Sequence, residues 1–222
     1  MEKNTLIISD LHLTHLFDKK KFNYLVNLFK KADKLIINGD LWSYFMCDFV
    51  DFLNSGWKKL FPLMLEKDCV YVHGNHDRKE WCNENTNLFS VKTCDKYSFE
   101  QNGQIFNLQH GHKNSGNFAK NRAILKGISK TKLDNTSYVI QKTILNKFGE
   151  PAFTKIGAVI NKKHKKYIKK YSKKQEIFVR SHTHSPEFSL DKKYINTGFI
   201  SFGFGSYLLI NDKISLVKEK YQ

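Results

Sequence analysis

The sequence predicts an α/β fold in which a sheet-forming core, residues 1–112 and 176–222, is interrupted by a basic helical cap insertion at residues 113–175. Three observations carry this expectation. In the first half, short apolar runs alternate with stretches of helical periodicity. After residue 96 the pattern changes to strands with few helices. Between those strands lies a lysine-rich block whose apolar residues recur at helical spacing. At 222 residues and 41% apolar content, the chain can build one domain with a sizeable core.

The elements follow in order. Leu6-Ile7-Ile8, Leu35-Ile36-Ile37 and Val70-Tyr71-Val72 are continuous apolar runs, as expected of strands buried on both faces. Phe22, Leu25, Val26, Leu28 and Phe29 mark a helix between the first two. Phe49, Phe52, Leu53, Leu60, Leu63 and Met64 mark helical structure before the third, with Gly56 as a point of interruption. Strands are expected at Tyr97–Phe99, Ile105–Leu108, Ile177–Val179, Tyr194-Ile195, Tyr207–Ile210 and Ile214–Val217. Asn211-Asp212 reads as the hairpin turn between the last two. In the insertion, Phe153, Ile156, Ile160, Tyr167 and Tyr171 form an apolar row beside Lys162, Lys163, Lys165, Lys166, Lys169, Lys170, Lys173 and Lys174.

Charge is distributed unevenly. The formal net charge is +16, yet residues 1–112 hold 14 basic and 14 acidic side chains, whereas residues 113–175 hold 17 and 2. A compositional bias would act along the whole chain, so the block points to an anionic partner: a phosphate-containing substrate met by the insertion as a cap over the sheet edge, a membrane surface, or a nucleic acid. The bland alternative is a solvated helix face, but residues 151–175 contain no acid for the usual i,i+4 pairs. No apolar run reaches the roughly 18 residues that span a bilayer. The first residues lack a leader-like apolar stretch. Cys47, Cys69, Cys82 and Cys94 form no C-x-x-C pair and read as reduced thiols, so a cytoplasmic location is expected, peripheral to a membrane if the insertion binds one.

Five segments stand where a strand gives way to a loop: Asp10-Leu11-His12, Gly39-Asp40, Gly74-Asn75-His76-Asp77, His110-Gly111-His112 and His182-Thr183-His184. Singly, each is an ordinary turn or strand end. Together they gather six of the nine histidines with Asp and Asn, at the sheet edge where open α/β folds place ligands. Imidazole and carboxylate without thiolate suit divalent ions such as Mn, Fe, Zn, Ni and Co rather than a structural zinc site. Residues i and i+2 of a strand face the same way, so Asp10 and His12 can share one ion. His182 and His184 either do the same or turn toward different ions.

In this order, D-x-H, G-D, G-N-H-D, H-G-H and H-T-H resemble the calcineurin-like metallophosphoesterase superfamily. The resemblance implies a four-layer α/β/β/α sandwich and a centre of two divalent metal ions, with manganese the first expectation. It assigns Asp10, His12 and His184 to one ion, Asn75, His110 and His182 to the other, and Asp40 to both. It makes His76 a catalytic residue that contacts phosphate or protonates the leaving oxygen. The implied activity is hydrolysis of a phosphodiester or pyrophosphate bond by a metal-activated hydroxide. Asp77 either orients His76 or shapes its turn. Arg78, His112 and Arg122 are candidate substrate contacts; for Arg78 the alternative is a surface salt bridge, and for His112 a hydrogen bond behind the ligands.

Departures narrow the reading. Ser181 stands where the superfamily usually has Gly, and Gly39-Asp40 continues Leu-Trp-Ser, unlike serine/threonine protein phosphatases. The helical insertion is similar to that of UDP-diacylglucosamine hydrolases, which implies a nucleotide-linked or lipid substrate. That subgroup, however, usually has Arg at the position of His76 and Asp at the position of His112. The alternatives are a nuclease or nucleotide phosphodiesterase, and a non-catalytic basic module binding membrane or nucleic acid. The last would be expected to have lost ligands, and every ligand position here is filled.

Overall fold

A computed structural model describes residues 3–114 and 130–221. Its strands are β1 (Thr5–Ile8), β2 (Lys34–Asn38), β3 (Val70–Val72), β4 (Lys92–Cys94), β5 (Tyr97–Gln101), β6 (Gln104–Leu108), β7 (Glu176–Arg180), β8 (Glu187–Ser189), β9 (Tyr194–Asn196), β10 (Ile200–Ser201), β11 (Phe204–Ile210) and β12 (Ile214–Lys220). The helices are α1 (Lys19–Phe29), α2 (Phe49–Asn54), α3 (Phe61–Glu66) and α4 (Lys130–Tyr171). The first sheet has the order β10-β11-β1-β2-β3-β4, with β12 also on β11; the second has the order β5-β6-β7-β9-β8.

Alternation along the apolar runs explains the layers. Ile7, Ile36 and Val70 point into a buried cluster with Phe106, Leu108, Val179 and Ile195 of the second sheet. Their neighbours Leu6, Ile8, Leu35, Ile37 and Tyr71 point the other way, into a cluster with Leu25, Phe29, Phe52 and Met64 of the outer helices. Each strand thus fills two cores, which is why its sequence is apolar without a break. A fully buried side chain of this size contributes about 1.5–3 kcal/mol.

Two local features answer the sequence signals. The helical stretch after Phe49 is divided into α2, a 3-10 turn over Gly56–Leu60, and α3. A Cβ on Gly56 would lie 2.5 Å from the Phe17 ring. Helix α4 is broken at Gly149 (φ 76°, ψ 177°), and Pro151 follows as one of the first residues of the second piece, where a missing N–H costs nothing. This second piece covers the outer face of the second sheet, making the fourth layer.

The row turned inward in that piece is Gly157, Asn161, His164 and Ile168, all buried. Of the expected apolar row, Tyr167 and Tyr171 remain about half exposed, at 50% and 56%. The sheet face opposite is polar, with Tyr194, Asn196 and Thr183 contacting Asn161. It therefore selects a hydrogen-bonding helix face. No helix among the described residues is long and apolar enough to cross a membrane.

Candidate metal centre

Each candidate ligand lies on a loop leaving the carboxyl end of a strand. Asp10 and His12 follow β1, Asp40 follows β2, Asn75 and His76 follow β3, His110 follows β6, and His182 and His184 follow β7. β1, β2 and β3 are mutually parallel, as are β6 and β7, so the loops of each sheet open at one edge. Contacts between loops join the two edges.

The backbone here is unusual. Among the described residues, nine non-glycine positions have positive φ, and five are Asp10, His12, Asp40, His182 and His184. Asp and His tolerate this region better than most residues, yet each such conformation has an energetic cost. It turns the side chains back toward a common point. Gly39 and Gly74 make the space: a Cβ on the first would lie 2.3 Å from His110 Nδ1, and one on the second 2.1 Å from Asp40 Oδ1. Asp77 ties the loops together by accepting the backbone N–H groups of Asp40 (3.0 Å), Leu41 (2.6 Å) and Gly74 (2.6 Å).

Three groups of donor atoms result: Asp10, His12 and His184; Asp40, His110 and His182; and His12, Asp40 and His76. Asp40 Oδ2 is 3.1 Å from His110 Nε2 and 3.8 Å from His12 Nε2, so one oxygen faces both of the first two groups. Asp10 Oδ1 is 3.2 Å from His184 Nε2, and His12 Nε2 is 3.1 Å from His184 Nε2. His110 Nδ1 donates to the Asn38 carbonyl (2.8 Å), which aims Nε2 at Asn75 Oδ1 (3.1 Å) and Asp40.

Electrostatics favours a cation. Burial opposes ionisation of Asp10 and Asp40, but neighbouring imidazoles, His110 foremost, overcome it and lower both carboxyls, Asp40 strongly. Burial likewise works against His110⁺, yet Asp40 and Asp10 raise that ring to about 10. A proton on His110 thus does part of a metal ion's work. Burial lowers His182 to about 3 and His12 well below the usual range, leaving both neutral with lone pairs to offer. Asp10 Oδ1 is buried without a hydrogen-bond partner. These donors fit divalent ions, since an orphaned carboxylate oxygen among neutral imidazoles is what a cation would satisfy.

The remaining sequence candidates are placed as follows. His76 stands edge-on to His12 (ring centroids 4.5 Å), and its Nδ1 is 3.2 Å from Ser43 Oγ. His112 lies beside His110 and His182, with ring centroids 5.6 and 6.2 Å away; burial, then His110, lowers it to about 4. The Arg78 guanidinium sits over Trp81 (4.9 Å), with Nη1 3.8 Å from Glu80. Arg122 lies outside the described residues. Ser181, which replaces the usual Gly, is buried and donates from Oγ to the Asn38 carbonyl (2.8 Å).

Sequence reasoning missed the support from α4. Asn161 Oδ1 accepts from Thr183 Oγ1 (2.9 Å), Tyr194 OH (2.8 Å) and Asn196 Nδ2 (3.1 Å), while its Nδ2 donates to the Ser185 carbonyl (2.9 Å). Thr183 is the residue between His182 and His184. Phe153 reaches the same place, its ring 6.0 Å from His184. The recurrence of Gly157, Asn161, His164 and Ile168 four, three and four apart was the available signal.

A sequence model described as calcineurin-like phosphoesterase matches residues 3–189. The chain belongs to this family. No curated protein matches this calcineurin-like phosphoesterase in sequence. Among solved structures it is similar to YfcE, a phosphoesterase from E. coli, at 15% identity and a TM-score of 0.48, covering 99% of this chain and 100% of that one. An archaeal phosphodiesterase is similar at 16% identity and a TM-score of 0.47, covering 98% and 99%. Vps29 from Entamoeba histolytica, complexed with Zn²⁺, is similar at 13% identity and a TM-score of 0.46, covering 98% of each chain.

Proposed function

We propose that this calcineurin-like phosphoesterase hydrolyses phosphodiester bonds with two divalent metal ions, manganese first among the candidates. Asp10, His12 and His184 would hold one ion, Asn75, His110 and His182 the other, with Asp40 common to both. The observation that carries this reading is the position of Asp40: buried, at 1% exposure, with one carboxylate oxygen facing imidazoles of both groups. When bound, such a pair of ions supplies Lewis acidity toward phosphoryl oxygens and a water of lowered pKa.

The chain's own residues supply the rest. Asp77 fixes the Asp40 and Gly74 backbones, so the shared carboxylate is preorganised. The hydrogen bond between Ser43 Oγ and His76 Nδ1 (3.2 Å) orients the ring so that, in its protonated form, His76 can pass the Nε2 proton to a leaving oxygen and remain as neutral imidazole. An alkoxide needs that proton more than a pyrophosphate's phosphate leaving group does, which favours a diester over a pyrophosphate substrate. Phe153 and Phe45 offer apolar walls beside His184 and His76.

Turnover of bis(p-nitrophenyl) phosphate with added manganese, set against cleavage of a nucleotide sugar at its pyrophosphate, tests the reading. Faster, metal-dependent cleavage of the diester is expected. A preference for the pyrophosphate would overturn the substrate class, and no turnover of either by metal-loaded protein would overturn hydrolysis.

A further inference from the structure

Four lysines of α4, Lys162, Lys165, Lys166 and Lys169, face Lys192 and Lys193 across a cavity of about 660 Å³. Two separate segments therefore converge with an excess of positive charge, six lysines against Asp191, which a merely solvated helix face does not require. β7 and β9 run parallel, with Phe178 opposite Tyr194 and Arg180 opposite Asn196. His182 follows β7 whereas Lys193 precedes β9, so the cavity extends toward the end of the second sheet remote from the candidate metal ligands.

The lysines are poorly neutralised. Lys165 donates to Glu187, Lys192 lies 4.0 Å from Asp191, and Lys193 donates to the Lys173 carbonyl. Among the described residues, no carboxylate lies within ion-pair distance of Lys162, Lys166 or Lys169. Lys193 also holds φ 54°, at a position after a helical turn where Gly or Asn is usual. Its side chain is kept at the rim despite that cost.

We propose that this cavity binds an anion carrying two or more phosphate groups, at a site separate from the metal centre. Its volume falls within the about 300–1,000 Å³ of small-molecule sites. A single phosphate would meet two or three ammonium groups, fewer than the four, Lys162, Lys166, Lys169 and Lys193, that have no carboxylate partner among the described residues. The inference does not depend on the diesterase reading, because none of these lysines belongs to the metal centre.

The test uses the full chain stripped of divalent ions, titrated with inorganic tripolyphosphate at low and high salt. Parallel titrations use phosphatidylcholine vesicles with and without phosphatidylinositol bisphosphate, and a single-stranded oligonucleotide. Binding should weaken with salt, because exposed ammonium groups are screened within about 10 Å at 0.1 M. Lys166→Glu combined with Lys169→Glu should weaken it by at least about tenfold, with like charge replacing attraction. Diester turnover with manganese should stay unchanged. Both side chains are exposed; should the double variant fail to fold, Lys166→Gln with Lys169→Gln carries the same comparison. Loss of tripolyphosphate binding in the variant identifies a free phosphate anion, and loss of vesicle binding alone identifies a lipid headgroup. Equal affinity in native and variant proteins, no binding to either probe, or binding only to a single-stranded oligonucleotide would overturn the proposal.

Discussion

Asp40 and His76 are close neighbours with different expected roles, and substitution separates them. Asp40→Asn keeps an oxygen to accept the His76 N–H (2.8 Å) but removes the charge that His110 and His12 face. Metal content measured on purified protein should fall at both sites and diester turnover should be lost; two retained ions would remove the shared role. His76→Gln should lower kcat toward a diester with an alkoxide leaving group by about 10²–10⁴-fold, the range for a lost proton donor, with metal content kept. Loss of an ion instead would make His76 a ligand, which its membership of the His12–Asp40 group also allows. Lys21 gives a separate, pH-dependent prediction. Its ammonium is buried and donates to the Leu11 carbonyl, and burial lowers it to about 7 against the opposing pull of Asp18. The unfolded chain binds this proton up to about 10.5, so between about 7 and 10.5 it holds more protons than the folded one. Stability from this group therefore rises with pH across that window, and the penalty is complete below it. Lys21→Met removes the penalty, so the variant's advantage in urea midpoint should be largest at mildly acidic pH and shrink toward pH ~10. A pH-independent difference would show that Lys21 is not held neutral.

At the scale of elements, the second piece of α4 buttresses the His182–His184 loop. A Cβ on Gly157 would lie 2.2 Å from the Thr183 carbonyl, and Asn161 supplies three bonds to the strand and loop beneath it besides the one to Ser185. Asn161→Leu removes the acceptor shared by Thr183, Tyr194 and Asn196 and the donor to the Ser185 carbonyl; Asn196 Nδ2 keeps its bonds to Ser181 and Thr183, so the cost is at most about 1–3 kcal/mol for each group that finds no other partner. Manganese affinity should drop by about 10–100-fold, as for other groups behind metal ligands. Asn161→Asp, which keeps the acceptor oxygen, should recover part of it. Equal affinity in Leu and native proteins would confine Asn161 to folding. This support was the part hardest to read in the sequence. β1, β2 and β3 were legible because strands covered on both faces are apolar throughout, and the candidate ligands because each lies in a short segment at a strand end. Asn161 touches a residue 22 positions away, and its importance depends on the hydroxyls of Tyr194 and Thr183 meeting it. Lysine spacing showed a cationic helix, but which flank met Lys192 and Lys193 depended on the polar face that the sheet selected.

On the scale of the whole molecule, the candidate centre joins two sheets that otherwise meet through an apolar cluster and a few hydrogen bonds, such as Thr5 to Gln101 and Lys34 to Tyr97. Asp10, His12, Asp40 and Asn75 come from loops of the first sheet; His110, His182 and His184 come from loops of the second. An ion held by donors from both could not persist once the sheets separate, so metal binding at the proposed centre would be linked to unfolding of the sandwich rather than to fraying of one loop. At about a hundredfold excess over Kd, one occupied site adds about 2.7 kcal/mol. At about 2–4 °C per kcal/mol for a chain of this size, manganese should raise Tm by about 5–11 °C per site. Chelation should reverse the shift, and Asp40→Asn should abolish most of it. The five left-handed positions among the candidate ligands add to the argument, because a cation shared by their donors would offset the conformational cost that the metal-free protein bears. An unchanged Tm at saturating manganese would mean that these loops meet without holding an ion between them.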